Sequence, residues 1–163
     1  SLVEELQFPN AHFLILGNKP GEKENFREYI PNEHVNSHIT FGGYRSDLPD
    51  ILKSCSIGMI ASTEWDSFPM SSLEMAATEL PLLVSDLPGL NEAVNEETGL
   101  TFPVGDFRKA AENIRELIHN PDLMKLMGHR ARERVVKHYS RSAQANALIQ
   151  VFEYLETQRK SSS

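Results

Sequence analysis

The chain has 163 residues, 40% hydrophobic and 24% charged, with 23 acidic against 16 basic side chains and a formal net charge of −7. That size fits one globular domain of about 100 to 200 residues with a core that needs no staples, and the acidic balance argues against general nucleic-acid binding, which requires a positive surface. A single cysteine excludes an internal disulfide, no C-x-x-C or H-E-x-x-H spacing suggests a metal, and no apolar run approaches the roughly 20 residues of a membrane span; the expectation is a cytoplasmic protein with no metal and no other cofactor.

Short apolar strands alternate with helices along the chain, which predicts an α/β fold with a doubly wound parallel sheet. A helix is expected near 2–7 and a strand near 12–17, closed by the turn Gly17-Asn-Lys-Pro-Gly21. Helix 22–30, strand 38–42, helix 47–55 and strand 57–61 follow. Cys55, at the end of a helix before a buried strand, reads as core packing rather than as a reactive thiol. Beyond a loop at 62–69 come helix 71–79, strand 82–85, helix 88–94 and strand 99–102. Three helices close the chain near 106–119, 121–138 and 141–158, with Asp106 as an N-cap and Pro121 at a first helical position. The basic stretch Lys125, Arg130, Arg132, Arg134, Lys137 and Arg141 reads as a solvated helix face, with acidic lipid as the lesser alternative. Residues 1–160 form the expected domain and 161–163 a tail.

The most informative stretch is Asp66-Ser-Phe-Pro-Met-Ser-Ser-Leu-Glu74, two carboxylates flanking a turn that runs from a buried strand into a helix. A helix starting at the carboxyl end of a parallel strand aims unpaired N–H groups and the positive end of its dipole into the crevice where such sheets bind ligands, and a diphosphate suits that place. Glu74, expected within the first turn, would reach a ribose, and Asp66 a second hydroxylated group. On the pattern alone the commoner reading is a capping box, Ser71-Ser-Leu-Glu74, in which the glutamate merely satisfies a backbone amide. The six histidines show no metal spacing, and no G-x-S-x-G, G-x-G-x-x-G or G-x-x-x-x-G-K-[ST] occurs.

The stretch resembles the D/E-x7-E signature of retaining nucleotide-sugar glycosyltransferases of the GT-B fold, specifically the C-terminal domain of glycosyltransferase family 4 (glycosyl transferases group 1). It departs from the family's E-G-F-G in having Asp66 for the first glutamate and Ser67 and Pro69 for the two glycines, which leaves Glu64 as a substitute acid. Ala11 to Gly21, Ile39 to Arg45, Asp47 to Cys55, Pro81 to Glu92 and Thr98 to Asp106 are similar to the family's successive strands, turns and helices, in order. The resemblance implies a Rossmann-like domain, the C-terminal half of a GT-B enzyme, whose intact parent moves a UDP- or GDP-linked sugar to an acceptor hydroxyl with retained configuration, as in polysaccharide biosynthesis. Ser67, Phe68, Pro69, Met70, Ser71 and Ser72 would bind sugar and diphosphate, Asp66 would orient the sugar, Glu74 would hold the ribose, and Gly17, Gly43, Tyr44 and Arg45 would face the nucleoside, with Gly89 marking a turn near the same crevice.

Family domains begin with a strand and an Arg/Lys pair that this chain lacks, and acceptor contacts lie on an N-terminal domain it also lacks. The expectation is therefore an inactive fragment, with peripheral membrane association of the parent left open. In the order 3-2-1-4-5-6 the missing strand is central; either strands 12–17 and 57–61 pair directly or something else fills the slot, a second copy making a homodimer through exposed strand edges. The alternatives are a nucleotide-sugar 2-epimerase, whose chemistry needs acid and base groups near the sugar, and a non-catalytic Rossmann-like binding module.

Overall fold

The computed structural model describes residues 11–30 and 33–161. The helix expected near 2–7 and the last two tail residues lie outside them. The five expected strands are all present: β1 (Phe13–Leu16), β2 (Ile39–Gly43), β3 (Gly58–Ile60), β4 (Leu82–Ser85) and β5 (Gly99–Phe102). Between β1 and β2 come a 3-10 helix (Glu22–Tyr29) and α1 (Glu33–Ser37). The remaining helices are α2 (Leu48–Lys53), α3 (Met70–Ala77), α4 (Pro88–Asn91), α5 (Phe107–His119), α6 (Pro121–His138) and α7 (Arg141–Ser161). The helix expected at 22–30 is a 3-10 helix with no buried residue, held to β2 by the Phe26 ring on Phe41. Helix 88–94 is a single turn, and α7 runs past the expected end at 158 into the first tail residue.

All strand pairs are parallel, and they fall into two sheets: β1 with β2, and β3-β4-β5 with β4 in the middle. Direct pairing of β1 with β3 does not occur, and each keeps one edge without a strand among the described residues. Side chains link the two sheets instead. Ala11 and Phe13 pack, together with Ile57 and Met59, against the cluster of Leu83, Phe102, Ala110, Ala111 and Ile114.

β4 is buried along its whole length, so successive side chains feed opposite faces. Leu82 and Val84 join Ala76, Leu90, Ala93, Val94 and Ala131 beneath α3, α4 and α6. Leu83 meets α5 on the other face. Asp106 caps α5 by accepting from the Lys109 amide at 2.9 Å, and Asn120 caps α6, with Pro121 at its first position, by accepting from Leu123 at 3.2 Å. The half-buried Cys55 thiol donates to the Ile51 carbonyl at 3.4 Å, and burial pushes its pKa up.

Three of the basic residues of α6 turn toward the protein rather than forming a purely solvated face. Arg132 donates to the Ala77 carbonyl at the end of α3 (2.7 Å), Arg134 to the Glu92 carbonyl (3.0 Å), and Arg130 pairs with Glu97 (3.4 Å). Cations at carbonyls that end a helix complement its dipole. This close seating needs a glycine, because a Cβ at Gly128 would lie 2.0 Å from the Glu79 carbonyl oxygen. Gly128→Ala is therefore expected to destabilise the chain by about 1–3 kcal/mol, the usual cost of overpacking, read as a lower urea midpoint with an unchanged slope; a midpoint equal to wild type would contradict this packing.

Candidate functional site: the turn between β3 and α3

The segment leaving the carboxyl end of β3 doubles back before α3. Ser62 donates its hydroxyl to the Asp66 carboxylate at 2.8 Å, which closes the loop and orients that half-buried acid. The β4–α4 turn then presses on the loop from one side. A Cβ at Gly89 would meet the Asp66 carbonyl oxygen at 1.9 Å and the Phe68 nitrogen at 2.8 Å, so only glycine allows the approach.

Phe68 has φ of 81°, a conformation rare for a bulky residue that costs on the order of 1–3 kcal/mol. Its ring is half-buried against the core beneath α3.

Pro69 follows in an extended conformation (φ −69°, ψ 131°) and is the N-cap of α3. Proline has no N–H and no side-chain oxygen, so no side chain caps this helix. The amide of Ser72 donates to the Pro69 carbonyl at 3.0 Å, and the buried Ser72 hydroxyl donates to the same oxygen at 2.6 Å. Met70 and Ser71 are exposed, and their amides find no acceptor among the described residues. They are the open donors of the helix start.

Ser72, expected among the diphosphate-binding residues, is buried, and its hydroxyl donates to the Pro69 carbonyl. One expectation is corrected here. Glu74 is not in the first turn: α3 starts at Met70, which makes Glu74 its fifth residue and rules out the capping box, since the capping residue is a proline with no amide to bond. Glu74 is exposed and its carboxylate makes no hydrogen bond or ion pair to the described residues. Ser67 is exposed beside it in the loop, and so is Glu64.

The nucleoside-facing candidates form a second group at the ends of β1 and β2. Gly17 (φ 84°) donates to the Gly43 carbonyl at 2.8 Å, and Gly43 (φ 65°) donates to the Asn18 side-chain oxygen at 2.8 Å. Tyr44 is 76% exposed rather than buried. Arg45 is already engaged, donating to both Asp47 carboxylate oxygens at 2.8 and 2.6 Å, which holds that carboxyl below its ordinary range and raises the guanidinium above its own. No hydrogen bond or ring contact among the described residues joins this group to the turn at 66–74.

Sequence reasoning marked Gly89 only as a turn and missed Trp65, 84% exposed beside Asp66, and Tyr139, whose ring packs on Phe68 with centroids 5.2 Å apart. A separate hollow of about 420 Å³ lined by Lys23, Arg27 and Asn36, among others, shares no residue with this site. Among the described residues, no three His, Cys, Asp or Glu side chains cluster as metal ligands would.

The model of the family described as glycosyl transferases group 1 matches residues 1–134. An Escherichia coli UDP-Gal:alpha-D-GlcNAc-diphosphoundecaprenol alpha-1,3-galactosyltransferase is 27% identical over 142 residues, covering 85% of this chain and 36% of that protein. The N-acetyl-alpha-D-glucosaminyl L-malate synthase of Bacillus anthracis is 27% identical over 131 residues, 80% of this chain and 34% of the relative. The structure of the Anabaena protein HepE in complex with UDP superposes with a TM-score of 0.79 at 19% identity, over 96% of this chain and 44% of that one. The chain thus spans less than half the length of each. Because Glu74 caps nothing, Glu74→Ala is expected to change folding stability by less than about 0.5 kcal/mol, measured by urea denaturation; a loss of about 1 kcal/mol or more, as removal of a cap gives, would reinstate the structural role.

Proposed function

Because the chain belongs to the glycosyl transferases group 1 family, we propose that it is the donor-binding half of a retaining glycosyltransferase, which grips a nucleoside diphosphate sugar while an acceptor hydroxyl is presented by a second domain. The observation that carries this reading is the uncapped start of α3, with the unpaired amides of two exposed residues between a braced aspartate and an unpartnered glutamate.

The diphosphate sits at the Met70 and Ser71 amides, where fixed donors and the helix dipole meet charge that grows as the sugar departs. Such donors need no reorganisation during the reaction, and that is the source of their advantage over water. Glu74 accepts from the ribose hydroxyls. Asp66, oriented by Ser62, accepts from the sugar, with the Ser67 to Pro69 backbone beside it. Tyr44 offers an exposed ring to the base, and Gly17 and Gly43 keep the backbone close to the nucleoside. The UDP bound by the structural relative HepE supports a nucleoside diphosphate as the ligand class. The acceptor is bound outside this chain, so the chain alone transfers no sugar. Among the described residues no helix is long and apolar enough to cross a membrane, and a chain with one cysteine suits a reducing cytoplasm.

Calorimetric titration with UDP, GDP and ADP tests this reading. At least one is expected to bind the wild-type chain, and Glu74→Ala is expected to weaken that binding about tenfold or more, the effect of losing hydrogen bonds to a charged group, while the melting temperature holds. Equal affinity in Glu74→Ala, or no binding of any of the three, would overturn it.

A further inference from the structure

Two locally unfavourable features converge at one ring contact. Phe68 is held with φ of 81°, and the buried Arg134 Nε finds no acceptor. Strained or unsatisfied groups persist where surrounding structure over-determines them, and they gather at functional sites. What lies between these two is Tyr139, the residue that ends α6.

The tyrosine ring packs on Phe68, with centroids 5.2 Å apart and planes tilted by 42°. Its hydroxyl donates to the Glu92 carbonyl at 3.4 Å, and Arg134 donates to the same carbonyl at 3.0 Å while its guanidinium lies 6.0 Å from the tyrosine ring centre. Glu92 ends α4, whose Gly89 presses on the Asp66 carbonyl and the Phe68 nitrogen. The contacts therefore close on themselves. α4 bears on the backbone of the turn at one end and anchors Tyr139 at the other, and Tyr139 bears on the side chain of the same turn.

We propose that Tyr139 is a positioning residue for the site: its ring, packed on Phe68, keeps that residue left-handed and so sets the direction in which the Met70 and Ser71 amides point. A bulky residue left to itself relaxes to negative φ, and such a change at 68 would turn the peptide that leads into α3. The proposal rests on the donor-binding reading, because aligned amides matter only if an anion meets them.

The test compares Tyr139→Ala, which removes the ring, with Tyr139→Phe, which keeps the ring and drops only the hydroxyl. In NMR spectra without ligand, positive φ at Phe68 gives a strong intraresidue HN–Hα cross-peak. Tyr139→Ala is expected to lose that signature and to weaken UDP binding about tenfold, as the competent turn becomes a minority conformer; Tyr139→Phe is expected to keep both. In a Phe68→Gly background, where the backbone is free to take positive φ, Tyr139→Ala should weaken binding no further. If Tyr139→Ala does not fold, Tyr139→Leu takes its place in the same comparison. A folded ring-deleted variant that keeps the left-handed Phe68 signature overturns the proposal, as does an equal loss with and without Phe68. Should the wild-type chain bind no nucleotide, the donor-binding reading falls by itself, and the ligand-free spectra still decide whether Tyr139 sets the turn.

Discussion

The start of α3 depends on a proline where a hydrogen-bonding side chain would ordinarily stand. A serine or aspartate at the N-cap would turn its oxygen onto the first amides and satisfy them. Pro69 cannot, and it has no amide of its own that a glutamate could reach back to bond, so the donors of Met70 and Ser71 stay open and Glu74 stays unpartnered. Ser72 completes the arrangement by fixing the Pro69 carbonyl from inside the protein. The helix start is hydrogen-bonded on its buried side and unsatisfied on its exposed side, as an anion site built from fixed donors requires.

The rest of the domain holds this turn in place. β4 is buried on both faces and carries the cores beneath α3 and α5. α6 is drawn onto α3 by Gly128 and Arg132, and onto α4 by Arg134. Leu73 and Ala76 bury the inner side of α3, leaving Ser71 and Glu74 outward. Gly89, Tyr139 and the cluster beneath α3, which bear on the turn at 66–68, all pack with the three-stranded part. The turns proposed to face the nucleoside belong to the two-stranded part, where Gly17, Asn18 and Gly43 knit the ends of β1 and β2 together.

Much of the fold was legible because the strands are short apolar runs between turn residues, a pattern that survives without tertiary context. α1 escaped notice, since five residues carry no helical periodicity. The site was legible as a pair of carboxylates around a helix start, but its details were not. Whether the N-cap is Pro69 or Ser71 decides whether Glu74 is a free ligand or a cap, and a boundary error of two residues is ordinary. The resemblance placed Ser72 among the diphosphate-binding residues, and only burial shows that its side chain faces inward. The contacts of Gly89 with Asp66 and of Tyr139 with Phe68 join segments far apart in sequence, so no local pattern announces them.

The central claim is that the open amides of Met70 and Ser71 receive a diphosphate. Amide-resolved NMR titration of the chain with UDP tests it most directly. The account predicts that the largest shifts fall on Met70 and Ser71, with smaller ones on Phe68 and Glu74, and that inorganic phosphate moves the first two alone. Shifts centred instead on the hollow beside Lys23 and Arg27, or amides of Met70 and Ser71 that stay still while UDP binds elsewhere, would contradict it.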